Sequence, residues 1–348
     1  MKYSIILLGL TLLGVAACET VVDIDVPQEA PRLVVTSFIG VDGPVWVSLS
    51  QSKSALSSAP IRGVSGAQIS LLEDGQPVAT LQEVIVPDSI SRDRIDFITS
   101  YRSEYVPSAG KEYTLQISKE GFEPVEATAT VTPPIPIANL QYDTTVVTFY
   151  DYNPVTDSST ITQQPVLDRV RLTIDDPAEE MNFYEILVLY YRTDYRYEID
   201  DNGNYTVVDS SRYLSSPQLI SEDPVVDDGD NFLEGDDDYY WWGNSSFMFS
   251  DEIFNGRRYT FNFNINRDRG FNIANNHGFS SSQEEASEYF ITLRTLSEAQ
   301  YRHMLSVDLQ RETDGNPFAE PVPIYSNIQG GYGIFVGYSA DVDTVSLE

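Results

Sequence analysis

Short runs in which apolar and polar residues alternate are the main pattern of this chain, and they predict β-strands. The first of these runs lie at residues 31–39, 44–50, 111–118 and 124–131. Two more flank Asp74-Gly75, a dipeptide that is favoured in tight β-hairpins. With turn signals about every 8 to 12 residues, residues 31–132 are predicted to form an immunoglobulin-like or transthyretin-like β-sandwich.

A proline-rich segment, TPPIPIANL, interrupts the strand pattern. Pro133, Pro134 and Pro136 lack a backbone N–H donor and disfavour a helix, so residues 133–139 are predicted to be a stiff connector. Strand-like runs rich in tyrosine resume after it. A second, larger β-rich domain is therefore predicted over residues 140–348.

The strand signals of the second domain are clear in RRYTFNFNINR, where the apolar residues from Tyr259 to Ile265 share one face and the asparagines between them share the other. Asn202-Gly203 predicts a hairpin tip between two earlier strands. A tight backbone feature beside a last strand is predicted by three glycines, Gly330, Gly331 and Gly333.

One helix is predicted, over about residues 297–311. Ser297 and Gln300 have the spacing of a capping box, while Gly315 and Pro317 mark the end of the helix. An apolar stripe then repeats at every fourth residue: Tyr301, Leu305 and Leu309. The fold class predicted from the sequence is therefore mainly all-β, with a single α-helix late in the chain.

The N-terminus has the pattern of an export signal. Residues 1–17 combine Lys2, an apolar core and two small alanines, and the core is too short to span a bilayer of about 30 Å. Val15-Ala16-Ala17-Cys18 resembles the bacterial lipobox, and Cys18 is the only cysteine of the chain. An ordinary signal peptide with a chance cysteine is the alternative, but an exposed, unpaired thiol is a liability in an oxidising compartment. We interpret Cys18 as a lipid attachment site.

The segment after Cys18 is acidic and extended. Glu19, Asp23 and Asp25 lie within seven residues of the cysteine, and the prolines that follow predict a solvated tether over residues 18–30. Acidic residues in this position resemble the export signal of surface lipoproteins of Bacteroidota. We therefore expect a lipid-anchored protein of the outer membrane that faces the cell exterior.

The overall charge narrows the classes of partner. The chain has 53 Asp and Glu against 21 Lys and Arg, a net charge of −32. A field of this sign repels nucleic acid and anionic lipid head groups, so we expect no nucleic-acid partner. A basic or neutral partner surface fits better.

The densest cluster of charge has nine carboxylates between Glu222 and Asp238. Oxygen-rich loops of this kind can bind Ca²⁺, although the spacing of an EF-hand is absent. The candidate ligands are Asp227, Asp228, Asp230, Glu234 and Asp236. We interpret the run as a solvated acidic loop, because charge runs usually are, and retain weak Ca²⁺ binding as the alternative.

Four consecutive aromatic residues follow this acidic loop: Tyr239, Tyr240, Trp241 and Trp242. Neighbouring residues of a strand point to opposite faces, so these side chains cannot all lie on one side. Packing in a β-rich core is the favoured interpretation. Stacking on a sugar ring or anchoring of a protein partner is the alternative.

Signatures of an enzyme are scarce. The chain has two histidines, and neither His277, in the loop NNHG, nor His303, on the predicted helix, has a partner at metal-ligand spacing. The sequence also lacks a G-x-S-x-G nucleophile elbow and a second cysteine for redox chemistry. We therefore predict no enzymatic activity and no cofactor, although a pair of carboxylates in a hydrolase has no sequence signature of its own.

Several stretches together resemble the Bacteroidota lipoprotein family known as domain of unknown function 4249 (DUF4249). The resemblance covers nearly the whole mature chain, and its most specific part runs from NPFAEP at 316–321 to YSNIQGGYGIF at 325–335. Membership of this family implies an outer-membrane lipoprotein that is often encoded beside a TonB-dependent receptor, and it implies no catalytic residues.

We therefore expect a non-catalytic accessory of a TonB-dependent receptor, which captures a ligand or gates the receptor. A structural or adhesive cell-surface protein is the first alternative. A surface hydrolase is the second.

Overall fold

The fold is given by a computed structural model. It describes residues 30–54, 57, 59–84, 99–153, 158–178, 180–199, 205–226, 246–266, 280–283, 288–313, 319–320 and 322–347. Strands dominate these ranges, and one helix lies among them, late in the chain. The predicted fold class, mainly all-β with a late helix, is confirmed.

The N-terminal strands follow the alternation of apolar and polar residues. They are β1 (Leu33–Ile39), β2 (Trp46–Gln51), β3 (Arg62–Gly63), β4 (Gln68–Glu73), β5 (Gln76–Val84), β6 (Thr99–Arg102), β7 (Glu112–Ser118) and β8 (Val125–Thr130). The hairpin predicted at Asp74-Gly75 joins β4 to β5, and both of its residues have positive φ, 46° and 79°. Two consecutive positive φ angles match the twist of the flanking strands, as in a type I′ turn.

The second half of the chain has longer strands. They are β9 (Ile137–Asn153), β10 (Ser158–Asp175), β11 (Phe183–Ile199), β12 (Tyr205–Ser215), β13 (Gln218–Ile220), β14 (Ser246–Ser250), β15 (Arg258–Asn266), β16 (Ser280–Gln283), β17 (Glu288–Leu296) and β18 (Tyr332–Ser346). In β15 the residues Phe261, Phe263 and Ile265 are buried, whereas the asparagines between them are not. The predicted two-faced strand is confirmed.

The strands form two sheets. The larger has 14 strands, with the path β12-β11-β17-β18-β1-β2-β6-β5-β4-β7-β8, and the smaller has four, in the order β13-β15-β10-β9. Along the larger sheet, β18 lies between β17 and β1 and pairs in parallel with β1. Strand β18, near the C-terminus, therefore pairs directly with β1, near the N-terminus. The sequence has no local signal for this pairing.

The buried hydrophobic residues form two clusters, one on each side of the proline-rich segment. The first consists of residues from Leu33 to Val131 with Ile328 and Phe335 added, and the second of residues from Ile135 to Leu293 with Val345 added. Strand β18 contributes to both clusters. The domain boundaries predicted from the sequence stay a prediction.

Helix α1 (Glu298–Thr313) is the predicted helix, although most of its apolar stripe is not buried. Leu305 and Leu309 are exposed, at 44% and 41%, and only Tyr301 packs, its ring centroid 4.7 Å from that of Phe183. None of the helices among the described residues is long and apolar enough to cross a membrane.

Ser297 precedes the helix and accepts a hydrogen bond from the backbone N–H of Gln300 at its side-chain oxygen, at 3.4 Å. The Ser297 N–H is bonded to the carbonyl of Gly337 instead of to the Gln300 side chain. Only half of the predicted capping box is therefore formed, because β18 supplies the other partner.

Candidate functional site

Most residues predicted from the sequence to form a site lie outside the described residues. These are Cys18, Glu19, Asp23, Asp25, Asp227, Asp228, Asp230, Glu234, Asp236, Tyr239, Tyr240, Trp241, Trp242 and His277. Within the ranges that the structure does describe, no three His, Cys, Asp or Glu side chains converge as a metal site would require. Lipid attachment, Ca²⁺ binding and aromatic stacking at these positions stay predictions.

His303, on helix α1, is half-buried and acts as a structural contact. Its Nδ1 donates to the carbonyl of Tyr325 at 2.6 Å, and the Ser306 hydroxyl accepts from the Tyr325 N–H at 2.9 Å. The helix therefore attaches to the segment before β18 by polar contacts on one face. The His303 ring and the Ser306 hydroxyl therefore both hold the backbone of Tyr325 against the helix.

The hairpin formed by β11 and β12 carries a strongly exposed strand. Every residue of β12 from 206 to 214 is exposed. Because successive side chains of a strand point to opposite faces, both faces of β12 are open to solvent. The exposed residues include large apolar ones, with 41% to 49% of their surface accessible: Tyr191, Val207, Val208, Tyr213 and Leu214.

Two arginines lie over tyrosine rings on this hairpin. The guanidinium carbon of Arg212 is 4.2 Å from the ring centroid of Tyr191, and that of Arg192 is 5.9 Å from the ring of Tyr213. The Tyr191 ring also meets the ring of Phe290, on β17, edge to face at 5.7 Å. These contacts orient side chains that would otherwise be free to rotate. We call Tyr191, Arg192, Val207, Val208, Arg212, Tyr213 and Leu214 the hairpin surface.

The register explains why this surface is formed. Tyr191 lies opposite Leu214, and Arg192 lies opposite Tyr213, so each face of the hairpin carries aromatic and cationic side chains on neighbouring strands. Tyrosine and arginine together are typical of the energetically important part of a protein interface. In a chain of net charge −32, this surface combines aromatic rings with cationic groups.

Buried or partly buried carboxylates that accept hydrogen bonds from tyrosine hydroxyls recur elsewhere in the protein. Asp168, which is fully buried, accepts from Tyr142 at 2.8 Å and from Tyr289 at 3.2 Å. Glu73 accepts from Tyr105 and from Tyr113, and these hydrogen bonds lower the pKa of the Glu73 carboxyl. Such contacts satisfy acidic groups that the fold partly removes from water.

Asp223 lies at the start of the acidic run and is also buried. It accepts from the hydroxyl of Tyr259 and from the backbone N–H of Asn262, the latter at 3.0 Å. Burial, and then the hydrogen bond to Asp223, raise the pKa of the Tyr259 hydroxyl. This first part of the acidic run is therefore packed against β15, in contrast to the solvated loop predicted for it.

The stretch that most resembles the family, around YSNIQGGYGIF, has a structural role. The Asn327 side-chain amide donates to the carbonyls of Thr128 and Phe335, at 3.0 and 2.6 Å, and its oxygen accepts from the Phe335 N–H at 3.0 Å. Gly333 has a φ of 102°, and a Cβ there would lie 1.9 Å from the carbonyl oxygen of Val35. The tight backbone feature predicted from the glycines is confirmed.

Sequence reasoning missed the hairpin surface, although YYRTDYRY contained a signal for it. Alternating tyrosine and arginine in a strand is unusual for a buried position, since arginine is almost never fully buried without a partner. The buried carboxylates had no such signal. An aspartate at the end of a strand looks the same in the sequence whether it faces water or a tyrosine.

The comparisons with known proteins agree with the resemblance seen in the sequence. No curated protein matches the chain. The model of the family described as domain of unknown function (DUF4249) matches residues 19–344, which is nearly the whole chain. The chain belongs to the DUF4249 family.

Proposed function

We propose that this protein is a lipid-anchored outer-membrane lipoprotein that acts as a non-catalytic accessory of a TonB-dependent receptor. In this proposal Cys18 carries the lipid, and the hairpin surface contacts the receptor or a ligand that the receptor transports. The observation that carries the proposal is the exposure of β12 on both faces, together with the arginine–tyrosine stacks that orient its neighbours.

The exposed apolar side chains of β12 are unfavourable in water unless a partner covers them. An exposed strand with large apolar side chains favours aggregation, and natural proteins usually blunt or cover such strands. Val207, Val208 and Leu214 are all more than two-fifths exposed. A binding partner that covers them would remove this apolar surface from water, which supports a role in binding.

A catalytic role has less support from the described residues. The buried carboxylates Asp168, Asp176 and Asp223 are each bound to a tyrosine hydroxyl and have little contact with solvent. A hydrolase needs a pair of carboxylates that substrate and water can reach. These three are placed to support packing.

The test is co-purification of the full-length, tagged lipoprotein from detergent extracts of its own cells. We expect a TonB-dependent receptor to co-elute with the wild-type protein. The double variant Tyr191→Ala with Arg212→Ala should reduce the amount of co-eluting receptor by roughly tenfold or more, as for the loss of an interface hot spot. The matched control is Leu305→Ala, which removes a similarly exposed side chain from helix α1.

Two results would contradict the proposal. Repeated absence of a receptor from the wild-type eluate would remove the accessory role. Equal receptor recovery with the double variant and the control would remove the hairpin surface from it. Labelled palmitate should appear on the wild-type chain and be lost in Cys18→Ser, which tests the anchor separately.

A further inference from the structure

A pair of buried aspartates joins three segments of the second hydrophobic cluster. Asp176 directly follows β10, and Asp251 directly follows β14 at the start of a turn that leads to β15. Asn182, just before β11, lies between them. Asp176 is 7% exposed and Asp251 is fully buried. We call this group of three residues the aspartate joint.

Neutral donors surround the two carboxylates. Asp176 accepts at Oδ1 from the hydroxyl of Tyr184 and at Oδ2 from the backbone N–H of Gly256, the latter at 2.7 Å. The Asn182 side-chain amide is 3.2 Å from Asp251 Oδ2 and 3.5 Å from Asp176 Oδ1. One amide therefore spans both carboxylates, which places them side by side.

One of the four carboxylate oxygens has no hydrogen-bond donor among the described residues. Asp251 Oδ2 accepts from the backbone N–H of Asn182 at 2.9 Å and from the side-chain amide of Asn255 at 3.2 Å. Asp251 Oδ1 is buried and accepts no hydrogen bond from any group in the part of the chain that the structure describes. A buried oxygen of this kind is costly unless a donor reaches it.

The charged neighbours do not neutralise the pair. Arg258 binds Asp175 through two hydrogen bonds of 2.7 and 2.8 Å, and the Arg257 guanidinium donates to the carbonyl of Ile253. Glu180 and Glu252 are exposed carboxylates on the two adjoining segments, and Tyr184 is the titratable side chain of β11 that contacts Asp176. Two adjacent buried carboxylates without a cation cannot both be ionised at low cost.

We propose that Asp176 and Asp251 share one proton, which is carried by Asp176 and donated to Asp251 Oδ1, and that this proton makes the aspartate joint a pH-sensitive latch. The shared proton supplies the missing donor and removes one of two like charges. A metal ion fits less well, because three of the four carboxylate oxygens already accept from N–H or O–H donors. This inference does not depend on the proposed function.

The direction of the pH effect follows from the protonation states. Burial raises the pKa of Asp176 above its ordinary value; the hydrogen bonds from Tyr184 and the Gly256 N–H partly offset this effect, and the neighbouring Asp251 carboxylate adds to it. A group with a raised pKa in the folded state stabilises the fold below its unfolded pKa, about 3.9 for aspartate, and loses that contribution as the pH rises through the folded pKa. The aspartate joint should therefore stabilise the fold most at acidic pH, and its contribution to the free energy of unfolding should decrease as the pH rises.

The test compares unfolding of the purified full-length protein and the variant Asp176→Asn across the range from roughly pH 4 to pH 8. An amide at this position keeps a donor toward Asp251 and cannot ionise. The ratio of the unfolding equilibrium constants, wild type over variant, should rise with pH by up to about tenfold per pH unit until the folded pKa is passed.

The matched control is Asp175→Asn, which changes the neighbouring, exposed carboxylate. The Arg258 guanidinium lowers the pKa of Asp175, so the ratio for this control should stay flat above about pH 4.

A second measurement keeps the proposal testable if Asp176→Asn does not fold. Infrared difference spectra of wild type and Asp251→Asn, followed from roughly pH 3 to pH 8, should show a protonated carboxyl band that persists to higher pH in the wild type than in the variant, because the variant lacks the neighbouring negative charge. A wild-type-to-variant ratio that does not change with pH, or a carboxyl band that titrates at the same pH in both proteins, would overturn the shared proton. So would a rise in thermal stability on adding Ca²⁺ that EDTA reverses and Asp251→Asn abolishes, because a cation would then occupy the joint.

Discussion

Replacing Gly333 with alanine should destabilise the fold through two separable effects. The first is backbone strain, because a φ of 102° is rarely adopted by residues with a side chain, and it costs about 1–2 kcal/mol. The second is a clash, because the new Cβ would lie 1.9 Å from the carbonyl oxygen of Val35 on β1. Overpacking against rigid backbone costs about 1–3 kcal/mol. We therefore expect a total loss of about 2–5 kcal/mol in the free energy of unfolding.

Three other glycines separate these effects. Gly75 has a φ of 79° and open space around its Cβ position, so Gly75→Ala should show only the strain, about 1–2 kcal/mol. A Cβ on Gly337 would lie 2.3 Å from the carbonyl oxygen of Thr130 without a positive φ, so Gly337→Ala should show only the clash, about 1–3 kcal/mol. Gly43 has neither, and Gly43→Ala should change stability by less than about 0.5 kcal/mol.

Urea unfolding followed by tyrosine and tryptophan fluorescence measures all four variants against the wild type. Because a domain is stable by only about 5–15 kcal/mol, the loss expected for Gly333→Ala should shift the midpoint clearly. The interpretation fails if Gly333→Ala is no more destabilising than Gly75→Ala. It also fails if Gly337→Ala behaves like Gly43→Ala, since backbone contact with β8 would then cost nothing.

Two further changes test polar contacts. Asn327→Ala removes the three hydrogen bonds by which the segment before β18 is joined to β8 and to β18. It should lower the free energy of unfolding, measured in urea, by about 1–3 kcal/mol. The same change at exposed Asn255 removes two hydrogen bonds and should cost less. Glu73 has a lowered pKa because of its bonds to Tyr105 and Tyr113, so its stabilisation is present above about pH 4 and is lost as the pH falls through the folded pKa. Glu73→Gln should therefore be less stable than wild type at neutral pH, with the difference shrinking toward pH 3, and a constant difference would contradict the assignment.

The position of the C-terminal strand links the two hydrophobic clusters mechanically. Strand β18 pairs with β1 and β17 at once and places Phe335 in the first cluster and Val345 in the second. Residues 332–337 of β18 pair with β1 and residues 338–346 pair with β17, so one continuous strand takes part in both halves of the fold. The segment YSNIQGGYGIF, which leads into β18, therefore lies where the two halves of the fold meet.

Local patterns in the sequence determined the strands and the turns. Alternation of apolar and polar residues is a property of neighbouring residues, so β1, β4 and β15 could be located without any knowledge of the fold. Asp74-Gly75 defined its hairpin for the same reason, since the turn needs positive φ at both residues.

Contacts between distant residues were decided only by the tertiary structure. The parallel pairing of β1 with β18 joins segments at opposite ends of the chain, and no local propensity encodes it. The same holds for the exposure of Leu305 and Leu309, since helical spacing alone does not show whether another segment covers that face of α1. Asp176 and Asp251 are likewise 75 residues apart in the sequence, and only the fold brings them together. Local backbone conformation depends on neighbouring residues and can be predicted from short stretches of sequence. The burial and the protonation of a side chain depend on which distant segments the fold brings together.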